Sequence, residues 1–172
     1  SYHPGLGKDD AKAFIWYRKA AAQGHAQAQC NIGWMYETGR GVEQNVEQAV
    51  VWYQKAAEQE DTTAQCNLAL MYESGRGIEK NAEKAVVWYR KAAQQGDARG
   101  QYNLGNMYRD GRGIEQKEEL AVAWYRKAAE QGYASAQCNL GYQYDIGQGV
   151  EENIIEAVFW HEKASAQGDF CA

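Results

Sequence analysis

The chain has 172 residues, 45% of them apolar, and a formal net charge of −5, enough for a domain with its own core and too acidic for the basic stripe that binding to nucleic acid or an anionic membrane surface requires. No apolar run approaches the ~20 residues that span a bilayer, and the first residues do not read as a signal peptide. A single proline, Pro4, alongside 18 glycines and abundant Ala, Gln, Glu and Lys, favours many helices separated by glycine turns over a sheet.

In chain order the first marker is Trp16, followed by Trp52, Trp88, Trp124 and Trp160, each 36 residues after the last. A period in this range signals a solenoid whose units cannot bury their apolar stripes alone. Residues 1–24 read as a partial unit that begins at the end of a first helix. Four whole units follow at 25–60, 61–96, 97–132 and 133–168, and 169–172 read as the start of another. On this reading the chain is a single domain over 1–172, cut from a longer protein, with neither end polar enough to act as a cap.

Each unit is predicted to hold two helices, A over about Ala26–Glu37 and B over about Val46–Gln59 in the first whole unit. Asn45, Asn81 and Asn153 are placed to cap helix B; Asp61, Asp97 and Asp169 are placed to cap helix A. Gly24, Gly96, Gly132 and Gly168 are placed to close helix B in the left-handed conformation. Glu60 takes that place in the second unit, where a locally distorted turn is expected. The buried stripes are Ala28, Ile32, Met35 and Tyr36 on helix A, and Ala49, Val50, Tyr53, Ala56 and Ala57 on helix B.

Between the helices, NIGWMYETGRG has glycines and an arginine that suggest a phosphate loop. The spacing from Gly33 to Gly39 and the lack of a following Lys-Ser/Thr exclude the Walker pattern. The segment also recurs as YETGRGVEQN, YESGRGIEKN, YRDGRGIEQK and YDIGQGVEEN, so Gly39 and Gly41 are expected at positive φ in a structural turn.

The pattern A-x-x-x-[LI]-G-x-x-Y-x-x-G-x-G-[VI], followed by A-x-x-W-Y-x-K-A-A-x-Q-G, resembles the Sel1-like repeat family, relatives of the tetratricopeptide repeats. The resemblance covers residues 9–168 and departs from the pattern at Ala69, Gln148, His161 and Ser165. It implies an all-α fold, a right-handed α/α superhelix of helix-loop-helix repeats. It also implies a non-enzymatic adaptor or scaffold that holds a partner peptide or protein in a concave groove lined by helix A.

Cys30, Cys66 and Cys138 share one place in three units. Equivalent points on neighbouring layers lie about 10 Å apart, beyond the roughly 7 Å that a disulfide tolerates and too far for shared zinc. They are therefore expected to be unpaired thiols on helix A, which favours a reducing, cytoplasmic compartment, although proteins of the resembling family are often exported. The cysteine-rich secreted branch staples each unit with a cysteine pair; the partner place here carries Thr38, Ser74 or Ile146. His3, His25 and His161 occupy unrelated places and no nucleophile has a positioned base, so neither catalytic residues nor a cofactor or metal are predicted.

Places constant among the units are expected to be scaffold, and places that change are expected to read a partner. The changing places on helix A fall on one arc with Cys30, opposite the buried stripe. The predicted binding residues are Trp34, Leu70, Tyr102 and Tyr142 as anchors, Asn31, Asn67, Asn103 and Asn139 as amide contacts, and Glu37, Glu73, Arg99 and Arg109 for charge. No nucleic-acid partner or direct membrane insertion is expected; end-to-end self-association through uncapped ends is. The alternatives are a ligand-binding segment of a cell-wall-associated protein that takes muropeptides, and a structural spacer.

Overall fold

The computed structural model describes residues 8–168, which contain nine α-helices and no strand. The helices are α1 (Lys8–Ala22), α2 (Ala26–Thr38), α3 (Val46–Glu58), α4 (Thr62–Ser74), α5 (Ala82–Gln94), α6 (Ala98–Asp110), α7 (Glu118–Glu130), α8 (Ala134–Ile146) and α9 (Ile154–Ser165). Even-numbered helices are the A type and odd-numbered ones the B type, and the chain is an all-α solenoid of helical repeats. It forms two compact units, Ser1–Trp88 and Tyr89–Ala172; the capping place at Asp169 and the start of a further repeat at 169–172 lie outside the described residues.

The caps are where the sequence puts them. Asn45, Asn81 and Asn153 accept from backbone N–H groups of the first turns of α3, α5 and α9 at 2.8–3.2 Å. Asp61 and Asp97 do so for α4 and α6 at 2.7 and 2.8 Å. Each of these bonds satisfies a donor that the helix start leaves without a partner.

In the first unit, Tyr53 is fully buried on α3 and Gly33 faces it from α2. A Cβ at Gly33 would lie 2.7 Å from the Tyr53 ring, so the missing side chain lets the two helices close on the ring. Gly105 and Tyr125 repeat the arrangement in the second unit, also at 2.7 Å. The turn glycine Gly41 has φ 70° and abuts the start of α1; a Cβ there would come within 2.3 Å of the Asp10 carbonyl oxygen. Gly149 meets Glu118 in the same way in the second unit, at 2.5 Å from its carbonyl carbon. The glycine-rich loop therefore grips the backbone of the preceding helix B. Arg40 adds two bonds to the Asp10 carboxylate at 3.2 and 3.3 Å, and in the last loop Gln148 donates to Glu118 at 2.8 Å.

A column of buried glutamines joins helices of successive repeats. Gln29, Gln65, Gln101 and Gln137 are 1–6% exposed and donate to the carbonyls of Ala21, Ala57, Ala93 and Ala129 at 3.0–3.3 Å. The carbonyl oxygens of Gln29, Gln101 and Gln137 accept from a glutamine at the end of the following helix B. Gln59 bonds Gln29 at 2.6 Å, Gln131 bonds Gln101 at 2.8 Å and Gln167 bonds Gln137 at 2.9 Å. Gln29, Gln101 and Gln137 thus each link the preceding helix B, their own helix A and the end of the next helix B.

The turn at Glu60 departs from the expectation. Glu60 adopts φ 67°, the only positive value among described non-glycine residues. Its bonds, Glu60 N–H to Ala57 and Asp61 N–H to Ala56 at 3.1 and 3.2 Å, match those of the Gly96 turn. The turn keeps its shape, and the strain resides in the dihedral of one residue.

Glu60→Gly removes a left-handed penalty of roughly 1–2 kcal/mol and adds ~0.5–1 kcal/mol of unfolded-chain entropy, so urea titration should show a gain of about 0.5–1 kcal/mol. Gln143 stands where Met35, Met71 and Met107 stand in other repeats, is 1% exposed, and its Oε1 has no hydrogen-bond partner. Gln143→Met should therefore raise the unfolding free energy by about 1 kcal/mol or more; an unchanged value would show that a bridging water serves the oxygen. Gln101→Met removes one of the two bonds to the Ala93 carbonyl, which still accepts from Gly96 N–H at 3.1 Å, and the acceptor of Gln131; it should cost about 1 kcal/mol or more, measured in the same titration.

Candidate partner-binding faces

In the first unit, α2 and α4 present Trp34 and Leu70 to solvent at 41% and 46% exposure, one residue from fully or nearly buried positions on either side. The Arg40 guanidinium lies 5.0 Å from the Trp34 ring centroid, a cation–π contact that restrains an otherwise open ring. Thr38 and Ser74 hydroxyls, one turn on, donate to the carbonyls of Trp34 and Leu70 at 2.8 and 2.7 Å. In the second unit Tyr142, on α8, is 56% exposed, and Ile146 follows it on the same face at 46%.

Other predicted residues are built into the scaffold. Asn67 donates to the Tyr53 hydroxyl, which itself donates to Glu37 at 2.7 Å. Glu37 is also paired with Arg76 at 3.1 Å. Burial, then the Glu37 carboxylate, push the Tyr53 hydroxyl far above its ordinary range, so it acts as a fixed donor. In the second unit Asn106 replaces the Trp34/Leu70 residue type, and its Oδ1 accepts from Tyr125 at 2.7 Å and from Asn139 at 3.3 Å. Asn139 also bonds the Tyr125 hydroxyl, whose pKa burial raises well beyond the usual phenol range. Asn31 and Asn103 are half-buried at the matching places of α2 and α6.

Tyr102 is half-buried against the core, its ring 6.0 Å from Tyr125 and 5.2 Å from Tyr133. Arg109 is tied to Asp110 by two bonds at 2.7 and 3.2 Å, and Arg112 also donates to Asp110 at 3.1 Å. The bond from Arg109 is the main reason that the Asp110 carboxyl titrates below its usual range. Glu73 and Arg99 are half-buried on α4 and α6. Of the twelve predicted residues, the structure thus leaves three as exposed apolar side chains, Trp34 and Leu70 on the first unit and Tyr142 on the second.

The cysteines need two corrections. Cys30 is 3% exposed and Cys66 2%, so Cys30 belongs to the packed side of α2 and not to the open arc. Cys138, expected as an unpaired thiol, is disulfide-bonded. Cys30 and Cys66, at equivalent places on neighbouring repeats, are buried thiols. A disulfide-bonded Cys138 is at odds with the expected reducing compartment. Among the described residues no group of His, Cys, Asp and Glu is arranged to hold a metal, and no helix is long and apolar enough to cross a membrane.

The Sel1 repeat pattern matches residues 1–25, 26–61, 62–97, 98–133 and 134–169. No curated protein matches the sequence. Among solved structures, a Sel1 repeat protein from Oxalobacter formigenes is 37% identical with a TM-score of 0.87, over 92% of this chain and 63% of that one. The protective antigen c5321 of uropathogenic Escherichia coli, which displays an SLR fold, is 37% identical with a TM-score of 0.88, over 92% of this chain and 34% of that one. Helicobacter pylori cysteine-rich protein B is 27% identical with a TM-score of 0.57, over 72% of this chain and 92% of that one. The chain therefore spans less than two thirds of the first two proteins. With five consecutive matches reaching from residue 1 to residue 169 of 172, the chain belongs to the Sel1 repeat family.

Proposed function

We propose that this chain is a non-enzymatic adaptor that holds a segment of a partner protein on the exposed sides of its A helices. Sel1 repeats are in general a scaffold for protein–protein interaction and are typically non-enzymatic. The observation that carries the reading is that Trp34, Leu70 and Tyr142 occupy one repeat position, differ from repeat to repeat, and are 41–56% exposed. Scaffold packing gives no reason for large apolar groups there, whereas recognition does, since Trp and Tyr are the side chains that anchor interfaces. Glu37, bonded to Tyr53 and Arg76, and Asn139, bonded to Asn106, support the reading indirectly, by fixing α2 and α8, which carry Trp34 and Tyr142.

A photo-reactive amino acid at position 70, irradiated in cells expressing the protein, is expected to give discrete protein adducts. Combining Trp34→Ala with Tyr142→Ala should reduce those adducts by about tenfold, with a stability change within about 0.5 kcal/mol, as for exposed positions. Adducts that persist, or a large fall in melting temperature, would show that the rings belong to the scaffold.

A further inference from the structure

The last helix, α9, carries an apolar face that the repeat does not call for. Ile154, Ile155, Val158 and Phe159 are 66, 79, 46 and 45% exposed, and their spacing of one and four residues puts them side by side. Together they form a contiguous exposed apolar patch, the kind of surface that marks an interaction site. Val158 matches Val50 and Val122, which are 5% and 4% exposed, so stacking of another helix accounts for it. Ile155 and Phe159 are different. The place of Ile155 holds Glu47, Glu83 and Glu119, and that of Phe159 holds Val51, Val87 and Ala123, all exposed. A further layer would leave these two positions open, as the existing layers do in every other repeat.

The rim of the patch is acidic. Glu151, Glu152 and Glu162 are exposed around it. The nearby cation, Lys163, lies over the rings of its own helix, 4.6 Å from Phe159 and 5.4 Å from Trp160. Glu156 is half-buried and accepts from Trp160 Nε1 at 3.2 Å. We propose that the outer face of α9 docks a basic amphipathic helix of a partner protein. Its apolar stripe would pack on Ile155 and Phe159, and flanking Lys or Arg would meet the three exposed carboxylates. A second copy of this chain fits less well. An antiparallel pair that sets Ile155 against Phe159 also sets Glu152 against Glu162, and Lys163, which would face Glu151, is held over Phe159.

The probe is a fluorescent peptide of about 18 residues made only of Leu and Lys, with Leu along one helical face. Its controls are a scrambled isomer and a Leu/Glu analogue. Anisotropy at physiological salt should show saturable binding of the first peptide alone. The double variant Ile155→Glu, Phe159→Ala should weaken it by about tenfold or more with an unchanged melting temperature, because other repeats already carry Glu and Ala at those places. Trp34→Ala should leave it unaltered, which separates this face from the sides of the A helices. Absence of binding, equal binding by the scrambled peptide, or equal binding by the double variant would overturn the proposal. So would a peptide-free rise in sedimentation mass with concentration that the double variant abolishes, since the face would then belong to a second copy.

Discussion

The structure depends on a buried side-chain amide placed between three helices. An amide taken out of water costs several kcal/mol unless its donor and acceptor are both met. Gln101 meets both requirements at once, donating to the Ala93 carbonyl at the end of one helix B and accepting from Gln131 at the end of the next. Only one relative placement of the three helices satisfies it. Apolar contacts between alanines tolerate sliding, because they have no direction; the glutamine bonds do not. We therefore assign the register between layers to this column, and most of the burial energy to the alanines and tyrosines around it.

Size complementarity works with that constraint inside each repeat. In the repeats of Gly33 and Gly105 a tyrosine fills the gap between helices A and B because a glycine faces it, and its hydroxyl then emerges at the edge of the layer, where it needs an acceptor. Glu37 supplies one in the first unit and Asn106 supplies one in the second. His161, in place of the tyrosine, bonds Asp145 at 2.9 Å, and a Cβ at Gly141 would lie 2.7 Å from its ring. The partner of the ring changes from repeat to repeat while the requirement for a partner does not. Variation at a site therefore has two sources: a freedom to read something outside, and local compensation for a polar group inside.

This distinction explains what the sequence made legible. The period, helix pairing, caps and turn glycines could be read because each follows from local chemistry repeated at a fixed interval. The variable arc was also visible, but variability alone could not separate Trp34 and Leu70, which face water, from Glu37 and Asn106, which serve the buried tyrosines. The glutamine column was missed for the opposite reason. A polar residue that recurs on a helix reads as a solvated face, and only the carbonyl of the preceding helix end, eight residues earlier, reveals why it lies inside. The disulfide at Cys138 could not be found by comparing equivalent positions, because such a comparison assumes that a cysteine pairs only with its repeat counterpart.

The same logic bears on where function can reside in a repetitive scaffold. A buried position is constrained in every layer, so a change there, such as Gln143 for methionine, exacts a stability cost. An outward position on helix B is constrained in none, and in three repeats it holds glutamate, which keeps that surface soluble. Ile155 replaces it at 79% exposure, without a neighbour to shield it and without a packing role to justify it. A free apolar side chain of that size is unfavourable in water unless something else covers it. The repeat itself thus supplies the reference against which such a residue can be recognised, position by position, because each outward place on helix B has been sampled several times in one chain.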